Sequence, residues 1–340
     1  MNTAKSITTS TNLNFRGKPD KKICPNTGKS YLEYNGRRVN LAKDWIQTSG
    51  SWPEIFEIIA IHGYPIVPPI LKNDYRISDH FVASQIVMVD IDHGMTLQDL
   101  ANDPLYNHCG AGFYSTANHT DLEHRFRIIF VLDHPITDAD DYIRVNQELI
   151  NYYGGDQACK DPARLYYGCV NAAHAECHER ILPTEVVNEF ISIAREKEAK
   201  REKQISDLAE EYQEYEIQDQ DRRLIVDLLH DTYVGDYVIW RSIAWAMKNS
   251  GFSLGDFVYV TSGMMRQKSA EDAARLWSKG VQHHSRQLTM GTILYVLFQR
   301  HGRENVLSQL KLNSIESQLE MMHERLALLR HKSAHPGLEG

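Results

Sequence analysis

Apolar positions follow two different patterns along the chain. Between Trp45 and Gly168, short runs rich in Val and Ile alternate with helical patterns, whereas between Leu224 and Gly302 apolar residues recur at helical spacing. Short apolar runs bounded by turn residues are typical of buried strands, and a 3.6-residue period is typical of amphipathic helices. The pattern therefore predicts an α+β domain followed by an all-α domain.

One predicted strand, residues 85–92, carries chemistry at its end. Its apolar body leads into Asp90 and Asp92, which are two positions apart and so share one face of the strand. Two carboxylates this close either raise a pKa or hold a cation, and hard oxygen ligands favour Mg²⁺ or Mn²⁺. The alternative is that both acids simply end the strand before the turn at His93 and Gly94.

Basic and hydroxyl side chains collect around the next two predicted strands. A helix over Leu97–Leu105 precedes a strand over Ala111–Thr116, a polar loop and a strand over Arg125–Leu132. Arginine forks and small donors suit the oxygens of a triphosphate. The alternative is a merely solvated rim. The residues concerned are Ser115, Thr116, His119, His124, Arg125 and Arg127.

A third acid follows the next helix. The pattern predicts an amphipathic helix over Asp138–Tyr153, ending at Gly154 and Gly155, and Asp156 comes directly afterwards. Arg164 opens a short strand beyond it. Three acids from two separate elements, with arginines nearby, outline a metal-dependent nucleotidyl-transfer site.

These motifs give the segment from about Trp45 to Gly168 a resemblance to the catalytic domain of the archaeo-eukaryotic primase superfamily, above all to primase-polymerases of plasmids, phages and mobile elements. The resemblance implies a core with an RRM-like antiparallel sheet and flanking helices. It also implies that Asp90, Asp92 and Asp156 are the catalytic residues and bind two Mg²⁺ or Mn²⁺ ions, with no organic cofactor. Nucleotide-binding residues would be Ser115, Thr116, His119, Arg125, Arg127, Arg164 and Arg76.

The chain departs from the family at its phosphate motif. That motif is commonly Ser-x-His, but position 117 here is Ala, and the first downstream histidine is His119. If the strand at Ile128 matches the family's next strand, Arg127 takes the place of the usual histidine. Which side chain contacts the γ-phosphate is therefore left open.

A chain of 340 residues is long enough for two domains. The sequence predicts these two domains together with connecting and terminal segments. The helical segment after the catalytic domain resembles, loosely, the small domain that helps primer initiation in plasmid and phage primases. The segments are a basic, partly disordered N-terminal arm at 1–44, with disorder expected over residues 1 to about 14; the catalytic domain at 45–183; a solvated, charged helical linker at 184–222; the helical domain at 223–302; an amphipathic helix at 303–332; and a disordered tail at 333–340.

Within the helical domain, the tryptophans are interpreted as core residues and a group of basic residues as a candidate nucleic-acid surface. The tryptophans are Trp240, Trp245 and Trp277. The basic residues are Lys268, Lys279, His283, His284 and Arg286.

Composition indicates where the basic charge lies in the chain and in which compartment the protein is expected. The net charge is −8, but the first 45 residues hold nine Lys or Arg against three acids, so the basic charge is local. Five cysteines, an odd number, favour free thiols in a reducing compartment, and the absence of an apolar stretch of eighteen residues argues against a membrane span. A cytoplasmic location is therefore expected. Cys169, His174, Cys177 and His178 do not have a regular zinc spacing, so they are interpreted as a loop with incidental thiols and no zinc ligand is assigned; a zinc site is the alternative.

The sequence thus predicts a primase-polymerase that builds primers on single-stranded DNA from NTPs or dNTPs and extends them. No Gly-x-x-x-x-Gly-Lys-Ser/Thr motif is present, so a helicase partner would be a separate protein. Two alternatives stay open: a metal-dependent nuclease, and a replication-initiator module that binds DNA through a catalytically degenerate primase fold.

Overall fold

The computed structural model describes residues 6–25, 27–211, 219–234, 237–265, 268–278 and 288–310. The chain divides into two compact units, Met1–Lys197 and Glu198–Gly340. Every strand of the described residues lies in the first unit, and the described part of the second unit is helical. The α+β prediction, with an antiparallel sheet followed by an all-α region, is confirmed.

All strand pairings within the three sheets of the first unit are antiparallel. A central five-stranded sheet has the order β11-β9-β10-β8-β7, and two three-stranded sheets have the orders β5-β1-β6 and β2-β3-β4. The strands are β1 (Ile7–Thr11), β2 (Asp20–Ile23), β3 (Ser30–Tyr34), β4 (Arg37–Val39), β5 (Ile46–Gly50), β6 (Ile66–Val67), β7 (Ile70–Leu71), β8 (Phe81–Ile91), β9 (Gly112–Ser115), β10 (Phe126–Ile136) and β11 (Ala175–Cys177).

Helices α1 and α4 of the first unit are bounded by residues of types that are typical of helix caps. Ser51 and Glu54 form a capping box at the start of α1, and Asp138 caps α4 by accepting the backbone N–H of Asp141. Gly154 ends α4 in the left-handed conformation, at a φ of 66°. The helices are α1 (Trp52–Ala60), α2 (Leu97–Asn102), α3 (Pro104–Cys109), α4 (Ala139–Tyr153) and α5 (Thr184–Glu211), of which α5 continues into the second unit.

The central sheet forms the core of the first unit. The β8 residues from Ile86 to Val89 are completely buried, as is most of β10 from Phe126 to Leu132. A strand whose side chains are buried on both faces must be covered on both sides, which explains why its sequence is continuously apolar rather than alternating. The helix α4 packs on β8 and contributes Val145, Leu149 and Ile150 to this core.

The N-terminal residues differ from the expectation of disorder over residues 1 to about 14. Within the described residues 6–14, β1 pairs with both β5 and β6. Its polar side chains make cross-strand hydrogen bonds, as when the Thr9 hydroxyl donates to the Val67 carbonyl at 3.0 Å. A Ser- and Thr-rich strand is buried at low cost when each hydroxyl finds a partner, so polar composition alone was misleading.

The expectation of a solvated linker from residue 184 is wrong for the first half of α5. Val187 and Ala194 are buried, and Val187 belongs to the core of the first unit. Arg195 binds the Asp141 carboxylate of α4 at 2.9 Å, and Lys197 binds Glu148 at 2.6 Å. The charges that indicated solvation therefore attach this half of the helix to α4.

The second unit has its own hydrophobic core. Trp240 is buried, and its indole N–H donates to the Thr261 hydroxyl at 3.0 Å, whereas Trp245 and Trp277 are only partly buried against the core. The helices are α6 (Asp219–His230), α7 (Tyr237–Asn249), α8 (Leu254–Met264), α9 (Ala270–Ser278), α10 (Met290–His301) and α11 (Arg303–Gln309).

Several expectations for the second unit fall outside the described residues: the basic residues Lys279, His283, His284 and Arg286, most of the predicted helix at 303–332, and the tail at 333–340. The Lys268 ammonium lies 5.9 Å from the centre of the Trp240 ring. Among the described residues, none of the helices is both long and apolar enough to cross a bilayer.

Candidate functional site

Asp90 and Arg127 form the buried centre of the site. They lie directly opposite each other in the register of β8 and β10, and Arg127 Nε donates to Asp90 Oδ1 at 3.0 Å. Only 10% of the Asp90 side chain and 11% of the Arg127 side chain are exposed. A carboxylate removed from water needs such a partner, so this pairing follows from placing an acid inside the sheet.

The guanidinium of Arg127 makes three hydrogen bonds within the protein. It also donates to the Tyr114 hydroxyl at 3.2 Å and to the Tyr167 carbonyl. Burial disfavours its charge, but the Tyr114 oxygen and the Asp90 carboxylate more than compensate, and the pKa of Arg127 is raised. The structure thus shows Arg127 holding Asp90; its predicted contact with a nucleotide phosphate stays a prediction.

Asp92 lies where β8 leaves the sheet, and about half of its side chain (48%) is exposed. Its Oδ1 is 4.0 Å from a terminal nitrogen of Arg125, whose other terminal nitrogen binds Glu123 at 3.1 Å. Gly94, at a φ of 84°, provides the turn that follows. Asp92 and Arg125 therefore form a loose, solvent-accessible pair beside the buried one.

Asp156 is placed next to Asp90 through the backbone. Its N–H donates to the Asp90 carbonyl at 2.9 Å. The approach requires glycine at position 155, because a Cβ there would lie 2.5 Å from Val89 Cγ1 and 3.1 Å from the Asp90 carbonyl oxygen. The Gly154-Gly155-Asp156 sequence therefore ends α4 and brings the third acid to the end of the acidic strand.

The Asp156 carboxylate faces Arg164 at 3.5 Å. The pKa of Arg164 is raised: burial opposes its charge, but Cys159, Tyr166 and Asp156 favour it more strongly. The buried Nε atoms of Arg164 and of Arg125 find no hydrogen-bond partner in the part of the chain that the structure describes. Unsatisfied guanidinium donors beside the acids suit an incoming anion such as a phosphate.

The site has the type of ligand that a divalent metal prefers, but its carboxylates are not arranged around a common metal position. Carboxylate oxygens are the ligands that Mg²⁺ and Mn²⁺ prefer. Each of the three acids is nevertheless paired with an arginine. Across the described ranges, no three His, Cys, Asp or Glu side chains are grouped so that they could hold a metal ion. Metal binding would require Asp92 and Asp156, the two more exposed acids, to exchange their arginine contacts for the ion.

The predicted phosphate loop is built between β9 and β10. Ser115 is buried, and its hydroxyl accepts the His174 N–H at 3.0 Å, so that side chain is used within the protein. The Thr116 N–H donates to the Arg125 carbonyl at 2.9 Å, and the His119 N–H donates to the Thr116 carbonyl at 3.0 Å. These bonds fold the loop back so that His119 lies beside Arg125.

Three imidazoles meet at this loop. The His119 ring centre is 5.2 Å from that of His124 and 5.1 Å from that of His174. Nδ1 of His119 accepts the Arg125 N–H at 3.1 Å, and Nδ1 of His124 accepts the Leu97 N–H at 3.2 Å. The proton of each neutral ring is therefore assigned to Nε2, which makes both rings donors for an anion. Partial burial and the neighbouring His174 lower the pKa of His119.

Arg76 does not point freely toward the site. Its Nε donates to the Leu41 carbonyl and one terminal nitrogen donates to the Ala163 carbonyl, both at 2.9 Å. Burial lowers its pKa, although nearby Asp161 opposes the shift. Arg76 therefore bridges the N-terminal region and the loop that carries Arg164, and its predicted nucleotide contact stays a prediction.

Sequence reasoning missed several members of the site. Tyr114 and the Tyr167 carbonyl hold Arg127, and Asp161 caps the Arg164 loop by accepting the Ser78 hydroxyl and the Ala163 N–H, both at 2.8 Å. In the sequence, His174 stands out only as part of an irregular Cys and His cluster. The Asp161-Pro-Ala-Arg164 motif was the available signal for the loop, whereas His174 arrives through the pairing of β11 with β9.

A protein-family model matches part of the chain. Residues 57–198 match the VapE N-terminal domain, which covers fewer than half of the residues. The match includes Asp90, Asp92 and Asp156, together with the arginines that face them. No curated protein matches the chain in sequence.

Two solved primase structures are similar to the chain. One is the AEP domain of the primase-polymerase of cyanophage S-2L, at 12% identity and a TM-score of 0.30, covering 55% of this chain and 89% of that one. The other is primase RepB′, also at 12% identity and a TM-score of 0.30, covering 86% of this chain and 93% of that one. Similarity this distant is too weak to transfer an activity.

Proposed function

We propose that residues 45–183 catalyse metal-dependent, template-directed nucleotidyl transfer, making primers on single-stranded DNA and extending them with NTPs or dNTPs. The observation that supports this most is the hydrogen bond from the Asp156 N–H to the Asp90 carbonyl, which brings the third acid to the strand end that carries the other two. The sequence resemblance to primase-polymerases supports the same reading.

In this proposal Asp90, Asp92 and Asp156 would hold Mg²⁺ or Mn²⁺. The bound metal would supply Lewis-acid stabilisation of the attacking hydroxyl and of the leaving pyrophosphate. The chain's own part is to fix the carboxylates. Arg127 holds the Asp90 carboxylate in position through its hydrogen bond, and the close approach of Gly155 to Val89 keeps Asp156 beside it.

The triphosphate would take over the arginines that now face the acids. Arg125 and Arg164 each have an unsatisfied Nε, and a phosphate oxygen would satisfy it. His119 and His124 would donate from Nε2, and the Thr116 hydroxyl would add a further donor. A nucleotide carrying its metal would thus exchange both sets of ion pairs together, so that neither acids nor arginines are left without a counter-charge.

The test is incorporation of labelled nucleotides on an unprimed single strand with Mn²⁺. We would compare the wild type with Asp92→Asn and Asp156→Asn, which change exposed or half-exposed acids, and with Asp140→Asn, an exposed acid of α4, as a control. Short labelled products from the wild type and the control, reduced at least about a hundredfold in the other two, are expected. Shortening of the template instead would indicate a nuclease.

A second function, DNA binding without catalysis, is favoured by one observation. Within the described residues the acids are neutralised by arginines and form no group of three metal ligands. An initiator module of this kind would bind single-stranded DNA but incorporate no nucleotide with either Mg²⁺ or Mn²⁺. The same assay, run beside a binding measurement, separates the two functions.

The remaining parts of the proposal concern partners. The helical region, predicted at 223–302, would assist initiation by contacting the template or the first nucleotide, and Lys268 is its described basic candidate. Duplex unwinding would be supplied by a separate helicase. Removing residues 223–340 is expected to abolish unprimed synthesis while leaving extension of a supplied primer.

A further inference from the structure

A small basic sheet lies at the surface of the first unit. β1 and β5 are paired antiparallel over five positions, and the chain between them forms the sheet β2-β3-β4. No residue of these three strands is buried. We call residues 16–43 the basic insert. A sheet that buries none of its residues contributes little to the core, so its sequence is free to serve a surface role.

The insert concentrates positive charge in an acidic protein. Residues 16–43 contain eight Lys or Arg against two acids, whereas the whole chain has a net charge of −8. Both acids have partners: Asp20 lies 4.0 Å from Lys22, and Glu33 accepts the Tyr31 hydroxyl at 3.4 Å. Lys21 and Arg37, in contrast, have no ion pair among the described residues. The excess charge is therefore available to a polyanion.

The register of the insert combines charge with apolar surface on one face. Lys21 pairs with Leu32 and Leu32 with Val39, Tyr34 pairs with Arg37, and Ile23 lies on the same side. We call these six residues the apolar-basic face, and Ile23 is 71% exposed on it. Tyr34, Leu32 and Val39 are partly exposed. Accessible aromatic and apolar side chains between cations are what stacked bases and phosphates require together.

The base of the insert is fixed close to the candidate site. Trp45 is buried, and its indole N–H donates to the Leu41 carbonyl at 2.9 Å. Arg76 joins the same Leu41 carbonyl to the carbonyl of Ala163, the residue before Arg164. Since Arg164 faces Asp156, a chain of three contacts connects the insert to the acids.

We propose that the apolar-basic face of the insert binds single-stranded nucleic acid and holds it beside the acids. Lys21 and Arg37 contact phosphates, and Tyr34 stacks on a base. A single strand is the expected occupant because its bases are exposed for stacking, whereas a duplex offers only its phosphates to this face. The role of the bound strand as a template rests on the proposed function. The binding of the strand to this face does not depend on it.

The test measures binding of a labelled oligo-dT by fluorescence anisotropy, in EDTA and without nucleotide, over a salt series. Lys21→Glu/Arg37→Glu is compared with Lys200→Glu/Lys203→Glu, exposed residues of α5 that give the same change in net charge. We expect the insert variant to bind about tenfold more weakly at physiological salt and its log–log salt slope to fall by about 1.4, since each contact with a single strand contributes about 0.7. The α5 variant should match the wild type.

Tyr34→Ala is expected to weaken binding at least about fivefold without changing the salt slope, because stacking involves no counterion release. Unchanged binding by Lys21→Glu/Arg37→Glu, or an equal loss in the α5 variant, would overturn the inference. The inference would also be overturned if a duplex bound as tightly as the single strand and if Tyr34→Ala weakened duplex binding by the same factor. These outcomes do not depend on nucleotide incorporation, so the inference and the proposed function fail separately.

Discussion

Two antiparallel sheets of the first unit show opposite uses of charge. In the central sheet, Asp90 and Arg127 are buried opposite each other and satisfy each other at 3.0 Å. In the β2-β3-β4 sheet, all four residues of β2 are exposed, and Lys21 lies opposite Leu32 rather than an acid. The same backbone pairing therefore supports a fixed, desolvated charge pair in one sheet and a solvated, basic surface in the other.

The difference follows from the cost of desolvation. A buried charge without a partner is strongly destabilising, so the partner of a buried acid is dictated by the fold. An exposed charge has almost no effect on the stability of the fold. Its position is therefore not dictated by folding and can be determined by ligand binding. Substitutions in the two sheets should therefore separate stability from binding.

The largest expected effect comes from breaking the buried pair. Arg127→Met removes the partner of Asp90 while keeping an apolar stem, and it should lower the free energy of unfolding by about 3–5 kcal/mol. Arg37→Met, on the exposed sheet, should change it by less than about 0.5 kcal/mol. Urea unfolding of the two variants measures both values. Similar losses would mean that burial does not distinguish the sheets.

The next effect tests the close approach at Gly155. Gly155→Ala places a Cβ 2.5 Å from Val89 Cγ1, and we expect a loss of about 1–3 kcal/mol because the backbone must move away from β8. Gly28→Ala on the insert has no atom within 4 Å of its Cβ and should cost only the strain of its positive φ, about 1 kcal/mol. An equally small loss at both positions would show that Asp156 is not held by this contact.

A smaller effect concerns pH. Because the pKa of His119 is lowered in the folded state, the unfolded chain binds more protons between the lowered pKa and the ordinary value of 6.5. Stability should therefore fall as pH falls through this window, and His119→Gln should flatten that dependence. Thermal unfolding between about pH 7.5 and 5.5 measures the slope. A steeper dependence in the variant would contradict the assignment.

The smallest effect is the control that completes the comparison. Lys21→Glu/Arg37→Glu should leave the free energy of unfolding within about 0.5 kcal/mol of the wild type, because both side chains are exposed. Circular dichroism with thermal unfolding checks this. A loss of 2 kcal/mol or more would mean that the insert is part of the structural core.

Periodicity was sufficient for much of the fold. The apolar bodies of β8 and β10 and the capped helix α4 are predicted from the sequence, because burial on both faces and capping chemistry leave local signals. β8 begins four residues earlier than expected, and β10 ends four residues later. β1 was missed because its buried hydroxyls are satisfied by residues far along the chain. The docking of α5 was missed for the same reason, since its partners Asp141 and Glu148 lie about fifty residues earlier.

The candidate site was predictable as a set of residues but not as a set of pairs. The acids and arginines can be recognised in the sequence by their residue types and their spacing. That Arg127 faces Asp90, that Arg76 bridges Leu41 and Ala163, and that His174 joins His119 all depend on strand register and loop packing. Register is set by the whole sheet and is not carried by any short motif.

The most direct test of the account measures strand binding and nucleotide incorporation on the same preparations of two variants, Asp92→Asn and Lys21→Glu/Arg37→Glu. The account predicts that Asp92→Asn reduces incorporation at least about a hundredfold and binds the strand like the wild type. It predicts that the insert variant binds about tenfold more weakly yet incorporates at the wild-type rate when the template is saturating. Loss of strand binding in Asp92→Asn, or a lower saturated rate in the insert variant, would contradict the separation of chemistry from strand capture.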